Sequence, residues 1–342
     1  MRNTFTYYVY SAILSLCGVV VALLFAGCSL IYEDYSNCKP NKSISDFFID
    51  VDWKYAPEAA PEGMAYLFFP SGGSGDIWRF DIPGKDGGTV SVADGNYRMV
   101  CINDDTSRIL FRDEESYLFS CYCRPGGLYD GLGETIDRPL GPSESPSGEP
   151  VEICPDMMWC GNVWELNLEA DGEWVTTGES SEKVYSSRRG VTFYPRRAVA
   201  HYDFIVSDVK NLSGVRRICA SVSGMASEVY PATLKRGYDA VTLPLSARIV
   251  GDDRVEGNFL TFGLPENDAA PNKLTLYVWL TDGRKFSYEF DVTSQARNAA
   301  DPMRVTLAVG GITIPESEPE GGEGAFDISI DGWITETIDI VS

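Results

Sequence analysis

Short runs of alternating apolar and polar residues, broken every few positions by Gly, Pro, Asn or Asp, extend along the chain from about residue 45 to its C-terminus. A period of two sends successive side chains to opposite faces, which is the pattern of a half-buried strand. Strands are therefore expected at Ser45–Trp53, Ala65–Phe69, Ile77–Ile82, Thr89–Val92, Tyr97–Ile102 and Tyr117–Tyr122. In the second half they are expected at Ala198–Val206, Val215–Ser221, Ala240–Leu245, Asn258–Phe262, Lys273–Leu280, Lys285–Phe290 and Arg304–Val309. The runs Lys273–Leu280 and Lys285–Phe290 flank Thr281-Asp282-Gly283-Arg284, and Asp-Gly supplies the positive φ that a tight hairpin needs. Only Val209–Leu212 and Ser294–Ala299 read as helical, and both are short. Strands this short and this closely spaced predict an all-β chain of sandwich type.

Of the 342 residues, 44% are hydrophobic and 12% aromatic, a mix that builds cores rather than disordered chain. Lys and Arg number 28 against 50 Asp and Glu, for a formal net charge of -22. Such a surface repels polyanions, which argues against nucleic acid as a partner and against adhesion to acidic lipid through a basic patch.

From Asn3 to Tyr32 no side chain is charged, and Tyr7–Phe25 is almost continuously apolar. The stretch ends in Leu24-Phe25-Ala26-Gly27-Cys28, which resembles a bacterial lipoprotein signal, with small residues before a cysteine. Under that reading residues 1–27 are a signal peptide and Cys28 carries the lipid, including palmitate-type acyl chains, that holds the chain to a membrane. The competing reading is an uncleaved transmembrane helix, since the run is long enough to span a bilayer.

Nine cysteines lie at 17, 28, 38, 101, 121, 123, 154, 160 and 219. Loss of Cys17 and acylation of Cys28 leave seven, so at least one thiol has no partner within the chain. Cys154 and Cys160 could close a small loop, but spacing alone does not fix connectivity. Cys121 and Cys123 share a strand face, yet no second pair or histidine completes a zinc set, so no metal is expected.

The single histidine, His201, falls on the same strand face as Asp203, but no G-x-S-x-G nucleophile accompanies the pair, and no enzymatic activity is expected. Asn103-Asp104-Asp105-Thr106 lacks the spaced ladder of a calcium loop and reads as a turn. Trp159, Trp164 and Trp174 suggest stacking on a glycan, weighed against anchoring of loops and core. No cofactor is expected.

Pro139–Pro150 (PLGPSESPSGEP) is expected to be an exposed loop that does not pack, and Pro315–Gly324 (PESEPEGGEG) a solvated arm. After that arm, Ala325–Asp331 and Ile334–Val341 alternate again. Phe326, Ile328 and Ile330 fall on one face, as do Ile334, Ile338 and Ile340. These six residues either complete the chain's own last sheet or pair with another subunit by strand exchange. The Glu/Ser/Thr-rich stretch around Thr176–Lys183 places a domain boundary near Val184–Val191, giving a tether at 28–42 and sandwiches at 43–185 and 186–342.

The run Cys28–Cys38 (CSLIYEDYSNC) resembles the start of fimbrial anchor and accessory lipoproteins of Bacteroidetes. Val51-Asp52-Trp53, Pro61–Met64, Phe68-Phe69-Pro70, Asp94–Tyr97 and Asn103–Thr106 are similar to a related family known only as a domain of unknown function. Arg196–Ala200, Leu212–Val215 and Ser223–Met225 extend the likeness over most of the mature chain. The resemblance implies two tandem transthyretin-like Greek-key β-sandwich domains after the signal. It also implies a surface-exposed, lipid-anchored place in the outer membrane, with fimbrial subunits as partners at the base or side of a filament. Major subunits of such filaments are cut at an arginine and receive a neighbour's strand; an anchor keeps its first strand and its lipid. The alternative function is a surface adhesin or glycan-binding lipoprotein that uses aromatic loops to contact a host protein or glycan.

Overall fold

The computed structural model describes residues 44–73, 75–133, 139–168, 190–267, 270–318 and 333–338. The described chain is nearly all β. Its first strands are β1 (Ile44–Val51), β2 (Gly63–Pro70), β3 (Trp78–Pro83), β4 (Gly87–Ala93), β5 (Gly95–Asn103), β6 (Ile109–Arg112) and β7 (Ser120–Cys123). Next come β8 (Trp159–Leu168), β9 (Gly190–Phe193), β10 (Arg196–Arg197), β11 (Ala200–Ser207), β12 (Val215–Ala226), β13 (Glu228–Tyr230) and β14 (Lys235–Arg236). The chain continues through β15 (Ala240–Ser246), β16 (Arg248–Val250), β17 (Arg254–Thr261), β18 (Lys273–Leu280), β19 (Lys285–Asp291), helix α1 (Thr293–Arg297), β20 (Arg304–Gly310) and β21 (Trp333–Ile338).

A five-stranded sheet, β10-β8-β5-β2-β3, is covered on both faces. On one side it packs with β4-β1-β9 around Phe47, Ile49, Met64, Tyr66 and Phe68. On the other it packs with β14-β13-β7-β6 around Ala65, Leu67, Phe69, Val100 and Phe119. Double coverage explains why β2 reads GMAYLFFP with seven buried residues in succession rather than as a simple alternation. A second sandwich joins β16-β17-β11-β20 to β15-β12-β18-β19-β21 around Tyr202, Phe204, Leu274, Leu276, Val278, Tyr288 and Phe290. Each such side chain contributes roughly 1.5–3 kcal/mol when fully buried.

Strands from both halves of the sequence share one sheet, because β13 pairs with β7 through Val229 and Cys121. Residues 190–197 likewise belong to the first sheets, β9 running parallel to β1 and β10 antiparallel to β8.

Two sequence expectations are corrected in full and one in part. The run Tyr117–Tyr122 becomes a strand only from Ser120, since a turn entered at Asp113 (φ 60°) holds Ser116 and Phe119. Val209–Leu212 is not helical; Lys210 bridges to Thr313, and a single 3-10 turn follows at Leu212–Gly214. Between Cys154 and Cys160, whose pairing the spacing leaves open, there is no disulfide, and both are free thiols. Pro139–Pro150 is largely exposed, as expected of a loop, but it does pack at Leu140 and Glu149, which reach the second sandwich as described below. Among the described residues, no helix is long and apolar enough to cross a membrane.

Candidate functional site

The hairpin β18–β19 closes on Asp282-Gly283, with Gly283 at φ 88° as the turn requires. Asp282 accepts from the backbone N–H of Arg284 at 3.0 Å and from its guanidinium at 2.9 and 2.7 Å. It also accepts from the N–H of Glu318 at 2.8 Å. These bonds, led by the Arg284 side chain, hold its carboxyl well below the usual carboxylate range. The Arg284 guanidinium reaches the carbonyl of Glu316 as well, at 2.5 Å. The first residues of the expected arm, 315–318, are therefore pinned to the hairpin turn.

Beyond the arm, β21 lies parallel to β19, from Trp333 opposite Lys285 to Ile338 opposite Phe290, as the last strand of its sheet. Ile334 and Ile338 fall on the core-facing side, as alternation predicts. Ile338 packs against the core, but Ile334 is 50% exposed. Between them Glu336 is exposed. Cys28, Phe326, Ile328, Ile330 and Ile340 lie outside the described residues.

The side chain that fixes β21 is one the alternation argument passed over. Trp333 points to the opposite face, with ring centroids 4.8 Å from Trp279, 5.4 Å from Tyr277 and 5.6 Å from Tyr129. Its indole hydrogen-bonds the Tyr129 phenol, and burial pushes that phenol up to about 12. Edge-to-face arrangements dominate the cluster and suit the ring quadrupoles. Tyr277 and Trp279 carried a sequence signal, since bulky aromatics stand on the nominally outward parity of β18.

Tyr129 reaches this face on an arm from the first half. The arm leaves β7, makes a 3-10 turn at Asp130–Leu132, and returns through Leu140 and Pro142, which accept bonds from Tyr129 and Leu128. Gly131 allows the approach, because a Cβ there would stand 1.9 Å from the carbonyl oxygen of Leu245. Farther on, Val151 bridges Thr242 of β15 in parallel, while Thr242 donates to Pro150 and Glu152 donates to Thr242. The Glu149 carboxylate accepts from the Gly224 N–H at 3.0 Å and the Thr242 hydroxyl at 2.9 Å. Gly224 holds φ 73°, where β12 shifts register, so a glycine is required there. The Cys154 thiol donates to the Pro244 carbonyl at 3.5 Å.

Among the described residues, the remaining candidates have structural partners. Asn103 is buried; its amide donates to Asp105 and Met157 and accepts from the Trp159 N–H, so the Asn-Asp-Asp run buckles a turn to β8. His201 Nδ1 lies 3.6 Å from Asp203 Oδ2, and both side chains are well exposed. No cluster of three His, Cys, Asp or Glu capable of holding a metal occurs among the described residues. Trp159 packs edge-on to Trp53 at 6.3 Å, Trp164 is exposed beside Tyr117, and Trp174 lies outside the described residues.

The family model described as "Domain of unknown function (DUF5119)" matches residues 35–246, more than half of the chain. A Bacteroides ovatus protein named "Putative fimbrium anchoring subunit Fim4B" is 26% identical over 259 residues, 74% of this chain and 66% of its own length. The chain thus spans just under two thirds of that relative. A Bacteroides ovatus crystal structure described as a "putative adhesin" superposes with a TM-score of 0.57 at 20% identity, covering 84% of this chain and 97% of that one. The superposition shows a shared fold.

Proposed function

Because the chain belongs to the DUF5119 family, we propose that it is a structural lipoprotein of the bacterial cell surface, serving as an anchor or accessory subunit of a fimbria-like filament. Acyl chains on Cys28 hold it in the outer membrane, and strand pairing joins it to filament subunits. The role needs no catalysis and no cofactor.

The observation that carries this reading is β21. A terminal strand at a sheet edge, with four of its six residues exposed, is held by a backbone ladder and few side chains. Strands of that kind pair in trans at low cost, with the ladder supplying affinity and alternate pockets supplying register. The name of the Bacteroides ovatus relative supports the filament, and the sequence Leu24–Cys28 supports the lipid.

Cross-linking of intact cells, followed by recovery of this chain and mass spectrometry, tests the proposal. Filament subunits joined to the chain are expected. Recovery of the chain with no filament subunit, while filament subunits cross-link to one another, overturns it.

A further inference from the structure

Strand β8 breaks its alternation at one place. Val163 and Leu166 are buried in the same core, although their odd spacing would send them to opposite faces of a regular strand. The register with β5 explains this. Tyr97 pairs with Leu166 and Met99 with Val163, so Trp164 and Glu165 together oppose the single residue Arg98. The result is a β-bulge, which re-aims side chains that a regular strand would place elsewhere. Both bulged residues are exposed, and the Trp164 side chain is 43% accessible.

The indole stands in a built setting. Phe69 of β2, Arg98 of β5 and Trp164 of β8 form a row across three neighbouring strands. Tyr117 caps that row, its ring 5.9 Å from Phe69, 5.3 Å from Trp164 and 5.5 Å from the Arg98 guanidinium. The Tyr117 phenol accepts from the Asn162 amide at 3.4 Å, which ties the cap to β8. Among the described residues, neither the Arg98 guanidinium nor the Trp164 indole N–H has a hydrogen-bond or ion-pair partner. Acidic residues outnumber basic ones 50 to 28 in this chain, so an exposed arginine without a carboxylate is held apart from the prevailing charge. Glu165, the other bulged residue, has a partner of its own.

We propose that Trp164, Arg98 and Tyr117 form a binding site for a pyranose bearing one carboxylate, carried on an otherwise neutral glycan. The open indole takes the apolar C–H face of the sugar ring, and its N–H is left to donate to a ring hydroxyl. The Arg98 fork takes the carboxylate through paired N–H···O bonds. Tyr117 touches both side chains and keeps them in place. A protein partner would need an apolar centre and roughly 800 Å² of contact on this side, whereas Trp164 is ringed by Arg98, Asn162 and Glu165. A polyuronate would be repelled by the net charge of -22, which restricts the ligand to a single acidic unit. This binding activity goes beyond the anchoring role proposed above and does not depend on it.

The test is isothermal titration calorimetry of the full chain with sialyllactose, with a glucuronyl-galactose disaccharide and with lactose. At least one acidic sugar is expected to bind about tenfold more tightly than lactose, and whichever binds identifies the source of the carboxylate. Trp164→Ala is expected to weaken that binding about tenfold, and Arg98→Gln to bring the acidic sugar down to the level of lactose. Failure of both acidic sugars to exceed lactose overturns the proposal. So does unchanged binding by Trp164→Ala, shown to be folded by circular dichroism, or an unchanged preference in Arg98→Gln. Saturation-transfer NMR on the unaltered chain gives a second measurement that needs no variant. Irradiation of aromatic protons is expected to reach the ring C–H protons of the acidic sugar, and no transfer to them overturns the stacking.

Discussion

The side-chain amide of Gln295 pairs with both free backbone groups of Ala308: its Nε2 donates to the carbonyl at 2.9 Å and its Oε1 accepts from the N–H at 2.7 Å. Ala308 lies on β20, an edge strand, so Gln295 occupies the place where a neighbouring strand would add. Gln295→Ala should cost about 1–2 kcal/mol for two lost bonds and promote self-association through the β20 edge. Sedimentation velocity reads the second effect. A variant as monomeric as the unaltered chain at every concentration would show that Gln295 does not seal this edge.

Gly131 permits the first-half arm to lie on β15. Gly131→Ala must displace the turn from the Leu245 carbonyl and should destabilise the chain by roughly 2–4 kcal/mol. Because the same turn carries Tyr129, the near-ultraviolet circular dichroism of the four-ring cluster should weaken in the variant even under native conditions. Chemical denaturation and that spectrum together check the effect.

Glu152 sits on the arm where burial, reinforced by the Glu228 carboxylate and opposed by Arg112, pushes its carboxyl up to about 7. An unfolded glutamate titrates near 4.3. Between about pH 4.3 and 7 the unfolded chain sheds a proton that the folded chain keeps, so stability falls as pH rises through that window and levels off above it. Glu152→Gln should remove this component and gain on the order of 1 kcal/mol at pH 8, with no gain at pH 4. Urea midpoints of both chains at the two pH values provide the check.

Cys101, Cys121, Cys123, Cys154, Cys160 and Cys219 are free, and all but the half-buried Cys154 are buried. Burial raises every one of these thiols, Cys154 and Cys160 to about 12. Thiolate is scarce at neutral pH, so alkylation of these six should be about a hundredfold slower in the native chain than in urea. Peptide mapping after timed iodoacetamide treatment measures each site, and rapid native labelling at Cys101 or Cys219 would contradict the packing.

Local pattern carried the strands well where one face is buried and the turn chemistry is explicit. Lys273–Leu280 and the Asp282-Gly283 turn stand where alternation puts them. The pattern failed where distant chain supplies the second face. Nothing near Leu140 or Val151 in sequence encodes the outer face of β15 and β18, so the run from Pro139 to Pro150 read only as a loop. It lacks regular strands, yet it delivers side chains to a sheet about a hundred residues away in sequence. Strand β8 is poorly legible in the local pattern because Cys160-Gly161-Asn162 interrupts its apolar run; pairing with β5 selects it. At the C-terminus, parity placed Ile334 and Ile338 on one face correctly but missed Trp333, whose role depends on rings brought from β18 and from the arm.

As proposed above, the chain stands at the membrane by a lipid on Cys28 and keeps the strands that follow it, β1 among them. Removal up to Arg188 or Arg189 would strip away β1–β8 and the arm that carries Tyr129. Intact mass spectrometry of the N-terminal peptide, taken from protein extracted from native membranes, tests this most directly. A mature chain that begins at an acylated Cys28 is expected. A chain that begins just after Arg188 or Arg189, or one that retains residues 1–28 unprocessed, would contradict it.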